Sequence, residues 1–364
     1  MSQRVHNFSA GPAALPVEVL EQVRDELLDF RGTGASIIEA SHRGKAYDRL
    51  HHEAMEDLAT LLGFGAEHSV IFMGGGARSQ FALVAMNLLG DGWGGYVNTG
   101  RWSDTAIGEA GKVGEVREIW SSKDAGFDHV PGADAFPSAA GAAYLHSTSN
   151  NTVAGTEILY DPSPEDAGAT LVCDMSSDLL SRKVDVGRYG LIYAGAQKNL
   201  GPAGVTLVIA RADVLERSRA AGLPAVFTYA DQAAKRSLLN TPPVFPIYVV
   251  GLVLKRLLAL GGLAATEALA RNKSDMVYSA IDTSAGFYSG HAQRDSRSRM
   301  NVTFKTPSAD LDDSFVEGAA DAGLVGLKGH RSVGGLRASI YNSVPRASVE
   351  TLVEYMQEFQ RTHG

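Results

Sequence analysis

The sequence predicts an α/β protein: a large domain with a mostly parallel central sheet, followed by a smaller C-terminal α+β domain. Three observations predict it. Short apolar runs alternate with helical stretches between residues 70 and 210, the pattern of strands joined by crossover helices. After Pro242-Pro243 this alternation gives way to a long helical region broken at Gly261-Gly262. The 364 residues also suffice for about two domains at roughly 150 residues each. The expected division is a terminal segment, 1–15, packed with the small domain, a large domain at 16–260 and a small one at 261–364.

The elements follow in order. Pro16 to Phe30 reads as an amphipathic helix, with Pro16 near its first turn and Val19, Leu20, Val23, Leu27 and Leu28 on one face. Ala46 to Leu62 is a second helix, stopped by Gly63. Val70 to Met73 is strand-like, and Gly74-Gly75-Gly76 turns from it into a helix over Ser79 to Leu89. Tyr96 to Asn98 is a strand before a helix at Ser103 to Lys112. Ala142–His146, Thr170–Cys173, Gly190–Tyr193 and Val205–Ala210 are further buried strands. Pro246 to Ala280 is helical around its glycine break. The last part offers strands at Arg299–Phe304 and Leu336–Tyr341, with helices at Leu311–Ala322 and Ser348–Phe359.

Composition excludes several classes. Hydrophobic residues at 45% and charged residues at 20% are the usual globular mixture, not a disordered one. Forty glycines fall in short clusters, which indicates tight turns and backbone-lined sites rather than a collagen repeat. A single cysteine, Cys173, rules out an internal disulfide and a Cys-rich zinc site, so no metal is expected. The formal charge of −8 argues against nucleic acid as a partner. Met1 to His6 has no apolar core of a signal peptide, and Val244 to Leu254 is too short to span a membrane. A cytoplasmic protein without a membrane partner is expected.

Three segments could carry chemistry. Gly74 to Gln80 sits between a strand and a helix, where amides free of side chains can hold a phosphate; a plain tight turn explains it equally well. Asp174 ends a buried strand, where ligands gather in parallel sheets, although an Asp capping the next turn is the competing account. Tyr193 to Gly204 is harder to explain without function, because Lys198 lies among small residues directly between two apolar strands. A desolvated lysine amine condenses with carbonyl groups. Together these segments supply the parts of a pyridoxal phosphate pocket: a phosphate turn, a carbonyl-binding Lys198, and Asp174 for the pyridine nitrogen. Trp102 adds an aromatic face to stack on the ring.

Further segments complete a pattern that resembles the phosphoserine aminotransferases, class V aminotransferases of the pyridoxal-phosphate-dependent transferase fold type I, the aspartate-aminotransferase-like fold. They are Asn7-Phe8-Ser9-Ala10-Gly11-Pro12-Ala13, Ser41-His42-Arg43-Gly44-Lys45, Arg101-Trp102 and Asn150 to Gly155. Asn240-Thr241-Pro242-Pro243, Lys328-Gly329-His330-Arg331 and Gly334 to Ser339 follow, so the resemblance covers residue 7 to about 342. It implies pyridoxal 5'-phosphate as cofactor, with Lys198 as the Schiff-base lysine, Asp174 as the pyridinium partner and Trp102 as the stacking aromatic. Thr152 is implied to contact the cofactor, with Ala77, Arg78 and Gln197 on its phosphate side. Ser9, His42, Arg43, His330, Arg331 and Arg337 are implied to bind substrate, which would be glutamate, phosphoserine and their keto acids. Asn240 and Thr241 are implied to reach the partner's cofactor phosphate in a homodimer with shared sites. Two departures stand out: the family's Asn-Glu-Thr reads Asn150-Asn151-Thr152, and its third glycine is Ala77. Ala220 to Lys235 matches weakly.

The implied reaction moves an amino group between glutamate and 3-phosphohydroxypyruvate in serine biosynthesis. The related 4-phosphohydroxythreonine of pyridoxine biosynthesis is a further substrate the resemblance allows. Each substrate carries two anionic groups, and arginine is their planar bidentate partner. A different class V enzyme, such as a desulfurase, would need a mobile nucleophilic cysteine, whereas Cys173 directly precedes Asp174. A non-catalytic module on the same fold would not need both Lys198 and Asp174.

Overall fold

The computed structural model describes residues 4–163 and 168–364; the first three residues of the expected 1–15 segment lie outside them. In chain order the elements begin with β1 (His6–Asn7), α1 (Val17–Asp25), α2 (Lys45–Leu62), β2 (His68–Gly74), α3 (Arg78–Leu88) and β3 (Gly94–Asn98). Next come α4 (Arg101–Ala110), β4 (Val116–Ser121), β5 (Tyr144–Thr148), β6 (Asn150–Asn151), β7 (Thr156–Glu157) and β8 (Thr170–Asp174). They continue with β9 (Leu191–Gly195), β10 (Val205–Arg211), α5 (Ala212–Ala220), α6 (Tyr229–Ala234), α7 (Val244–Ala259) and α8 (Gly262–Asp282). The chain closes with β11 (Ser289–Gly290), β12 (Asn301–Lys305), α9 (Ala309–Asp321), β13 (Leu324–Val325), β14 (Leu336–Ser339) and α10 (Arg346–His363).

The central sheet has seven strands in the order β2-β10-β9-β8-β5-β3-β4. Only β10 runs against its neighbours, so the sheet is mostly parallel, as the alternation predicts. Its strands are apolar on both faces because helices cover both. Ile71 and Met73 of β2 face one core while Phe72 faces the other, and Leu171 and Cys173 of β8 are likewise separated from Val172. Period-two alternation thus splits one run between two cores, each fully buried large side chain contributing roughly 1.5–3 kcal/mol.

A third core gathers Phe8 with Val277, Phe304, Phe315, Leu352 and Met356 from α8, β12, α9 and α10. The N-terminal strand β1 pairs in parallel with β13, His6 opposite Leu324. α7 and α8 meet at 87° where Gly261 and Gly262 both take positive φ. No single helix among the described residues is long and apolar enough to cross a membrane.

Two elements differ from the sequence reading. The first helix ends at Asp25 rather than near Phe30, and Leu28 stands in solvent at 85% exposure. The amphipathic stripe continues past the helix because its last apolar residues face outward, not because the helix does. The strand β4 went unpredicted, since it is the sheet edge and alternates Arg117 and Glu118 with half-buried residues.

Candidate active site

The strands β2, β8 and β9 all end at the same edge of the sheet, and β5 ends there with Thr148 opposite Asp174. Residues just beyond these ends line a cavity of about 330 Å³. Asp174 comes from the end of β8 and Lys198 from the turn after β9. Gly76, Ala77 and Arg78 come from the turn after β2, and Trp102 from the first turn of α4. Gly75 adopts φ +100°, a conformation that suits glycine and lets the chain reverse from β2 into α3. Within the described residues the Gly76, Ala77 and Arg78 amides donate no hydrogen bond, which leaves donors of a helix N-terminus facing the cavity.

Lys198 donates from Nζ to Thr152 Oγ1 at 3.0 Å, and its ammonium lies 5.7 Å from the centre of the Trp102 ring. Burial lowers the Lys198 pKa to about 8; Asp174 opposes that shift and Arg337 adds to it. Asp174 is buried, and one carboxylate oxygen accepts from the Ser176 amide at 2.9 Å. Desolvation raises its pKa against the pull of Ser176 and Lys198. It is the one carboxylate on the cavity wall among the described residues. Gly11 approaches so closely that a Cβ there would sit 3.4 Å from Lys198 Cγ.

The smaller domain closes the opposite side. Arg337, from β14, points back across the cleft so that its Nη1 lies 3.4 Å from the Thr152 carbonyl, while its Nε is buried without a partner. His330 comes from the loop between β13 and β14. Its Nδ1 accepts from the Ser332 amide at 3.2 Å. Burial and the nearby Arg337, Arg101 and Arg331 lower its pKa.

Of the residues singled out in the sequence, the cavity therefore gathers Ala77, Arg78, Trp102, Thr152, Asp174, Gln197, Lys198, His330 and Arg337. Ser9 is off its wall, next to Ala10, which lines it. Arg331 is exposed beside His330. His42 and Arg43 precede α2, Asn240 and Thr241 precede α7, and none of the four lines the cavity. His51 of α2 bonds the Arg236 carbonyl at 2.7 Å and Asp48 meets the Arg236 guanidinium at 3.5 Å. These contacts bring the stretch before α7 beside the start of α2.

Sequence reasoning missed a buried acidic pair behind the cavity. Asp178 accepts from Ser149 Oγ at 2.5 Å, while Ser149 also donates to the Asp174 carbonyl. Glu157, from β7, accepts from the Arg299 amide at 2.6 Å. Burial raises both carboxyl pKa values, mutual repulsion adds to Glu157, and Arg182 pulls against both. Cys173 is buried with its thiol pKa pushed up to about 12, which suits a structural residue and not a nucleophile.

The class-V aminotransferase family pattern matches residues 5–352. A phosphoserine aminotransferase of Desulfatibacillum aliphaticivorans is 52% identical over 367 residues, covering all of both chains. The chain belongs to the phosphoserine aminotransferase family. Among solved structures, a phosphoserine aminotransferase of Bacillus circulans subsp. alkalophilus matches with a TM-score of 0.96 at 46% identity over the whole of both chains. One from Trichomonas vaginalis, described as PLP-bound, matches with a TM-score of 0.91 at 38% identity, covering 97% of this chain and 100% of its own. The chain is a pyridoxal-phosphate-dependent aminotransferase of fold type I.

The cavity fits that cofactor on its own terms. It offers free amides at one end, a lysine of lowered pKa at the other and a buried carboxylate between them. The indole Nε1 of Trp102 and Oε1 of Gln197 are buried without partners among the described residues, as expected of groups awaiting a polar ligand.

Proposed function

We propose that this enzyme transfers the amino group between L-glutamate and 3-phosphohydroxypyruvate, giving 2-oxoglutarate and O-phospho-L-serine, in the serine pathway. The observation that carries the reading is Lys198 and Asp174 on one cavity wall, with the lysine held near pKa 8, in a chain 52% identical to a phosphoserine aminotransferase. Bound pyridoxal phosphate supplies the carbonyl that accepts the amino group and the ring that stores the electron pair released at the substrate Cα.

The chain's own groups do the rest. Lys198 is the base that takes the proton from the substrate Cα and returns it at the cofactor C4′, and a pKa of about 8 keeps an appreciable neutral fraction near neutral pH. Asp174 holds positive charge at the ring nitrogen, which relieves its own desolvated carboxylate. The free amides of Gly76, Ala77 and Arg78, with the Arg78 side chain and Gln197, hold the phosphate. Trp102 fixes the ring plane, and Arg337 is placed to hold the substrate α-carboxylate beside Thr152. A substrate seated between β14 and the sheet edge excludes water from the cleft.

A homodimer in the cytoplasm with sites built from two chains completes the reading. His42, Arg43, Asn240 and Thr241 lie outside the cavity, and the two segments carrying them flank one region of surface. Exposed Leu27, Leu28 and Ile38 lie near the same helices. That combination supports a partner covering this face and receiving its cations and amide donors. Use of 4-phosphohydroxythreonine is proposed on the same footing. The test is a coupled assay on purified holoenzyme: glutamate-dependent conversion of 3-phosphohydroxypyruvate is expected, and its absence would sink the assignment.

A further inference from the structure

A second cavity, about 500 Å³, adjoins the first and shares Val153, His330 and Arg337 with it. Its other walls carry Arg101 from the start of α4 and Lys305 from the end of β12, so it lies in the cleft between the two domains. Neither the Arg101 guanidinium nor the Lys305 ammonium has an ion-pair or hydrogen-bond partner among the described residues. Asp104 is the one carboxylate on the wall, and its Oδ1 already accepts from Asn98 Nδ2 at 2.8 Å. His291 is occupied with the Gly126 carbonyl at 2.9 Å.

We infer that this second cavity is a subsite for a phosphate dianion, with Arg101 and Lys305 as its specificity-determining ligands. In a chain of charge −8, unneutralised cations gathered on one concave wall repel each other unless an anion sits among them. Arg101, Arg331 and Arg337 all press on His330, which identifies them as near neighbours with no carboxylate between. His330 fits the same ligand as a neutral donor. Its Nδ1 accepts from a backbone amide, so the proton rests on Nε2, which is free to bond an oxyanion. Guanidinium, ammonium and imidazole N–H together give the forked, multi-donor set that a tetrahedral dianion takes and a single carboxylate underuses.

The dianion has two sources, the phosphate of the substrate or free inorganic phosphate. The first rests on the transaminase reading above; the second does not. The holoenzyme is titrated with inorganic phosphate by calorimetry, and the Michaelis constant for O-phospho-L-serine is measured, for the wild type, Arg101→Gln and Lys305→Gln. Both residues are exposed, and an unchanged cofactor absorption spectrum verifies an intact pocket. Loss of one charged donor is expected to weaken phosphate about tenfold in each variant. If the Michaelis constant rises in step, the substrate's phosphate is the occupant; if it stays level while phosphate weakens, a free anion is. Phosphate affinity and Michaelis constant both unchanged in the two variants overturn the subsite. Absence of any turnover in the wild type would instead remove the transaminase reading, while calorimetry still reports on the cavity.

Discussion

The sheet edge around Lys198 and the surface around Arg43 carry the same family signature but stand in opposite conditions. At the sheet edge, Asp174 and Lys198 are brought together by adjacent parallel strands, with Asp174 opposite Tyr193 two residues short of the end of β9. Their pKa shifts follow from burial. At the surface, His42, Arg43, Asn240 and Thr241 sit at or near solvent ahead of two helices. No shift is resolved for Arg43, and its amide only turns back to Ser41 Oγ at 3.3 Å. Cofactor chemistry is thus assembled by one chain's backbone, whereas part of the anion recognition is displayed outward. The first region needs only folding to be complete; the second needs a partner.

The largest effect that would break this comparison is expected at Lys198. Lys198→Ala should lower turnover by about 10²–10⁴ while the circular dichroism stays native. Activity above a few per cent of wild type would mean that the base lies elsewhere. Asp174→Asn should follow, with a loss of about 10²–10³ in turnover, because a buried charge aimed at the reacting ring is worth that much. Were Asp174 only a turn cap for Ser176, stability would fall by about 1 kcal/mol and turnover per folded molecule would hold.

Arg43→Leu tests the outward region. If Arg43 reaches a partner's substrate, the variant should weaken glutamate or phosphoserine by about 2–5 kcal/mol and leave cofactor binding intact. Mixing Arg43→Leu with Lys198→Ala subunits sharpens this. Shared sites would restore a fraction of activity, because one site in the mixed dimer would then be whole. No recovery on mixing, with Arg43→Leu itself fully active, would confine the whole site to one chain.

How far each region is legible in sequence follows from the same contrast. The central strands read clearly because they are buried on both faces and so are apolar without interruption, as in Val205 to Ala210. Lys198 and Asp174 read clearly because each lies at the end of such a run. The edge strand β4 is half solvated and carries Arg117 and Glu118, so its composition matches a loop. His330 and Arg337 reach the cavity only through the tertiary fold of the smaller domain, and no local pattern announces that; the family resemblance singled them out. Arg101 and Lys305 read as ordinary surface cations until the two domains set them on one wall. Glu157, Asp178 and Arg182 left no signal at all. Charged residues are usually solvated, and nothing in their spacing says that β7 and the turn after β8 meet in the interior.

That buried group yields the smallest expected effect and separates the sheet edge itself into a working front and a strained back. The Glu157 carboxyl pKa is raised above its ordinary 4.5, chiefly by burial and then by Asp178. An acid with a raised folded pKa stays protonated in the native state where the unfolded chain has already ionised. Its contribution is therefore present in full below the ordinary value and is lost as pH rises through the raised one. Glu157→Gln removes the titration and keeps an oxygen for the Arg299 amide. The other carboxylate oxygen, Oε1, is buried without a partner among the described residues, so the amide nitrogen there adds a cost that is the same at every pH. The slope, not the offset, is the readout. Between pH 5 and pH 8 the wild type should lose stability relative to Glu157→Gln by about 1 kcal/mol, measured by urea unfolding of the holoenzyme at both values. Parallel profiles would mean that Glu157 ionises normally, with Arg182 and the Arg299 amide fully compensating its burial, and the strain behind Asp174 would be absent.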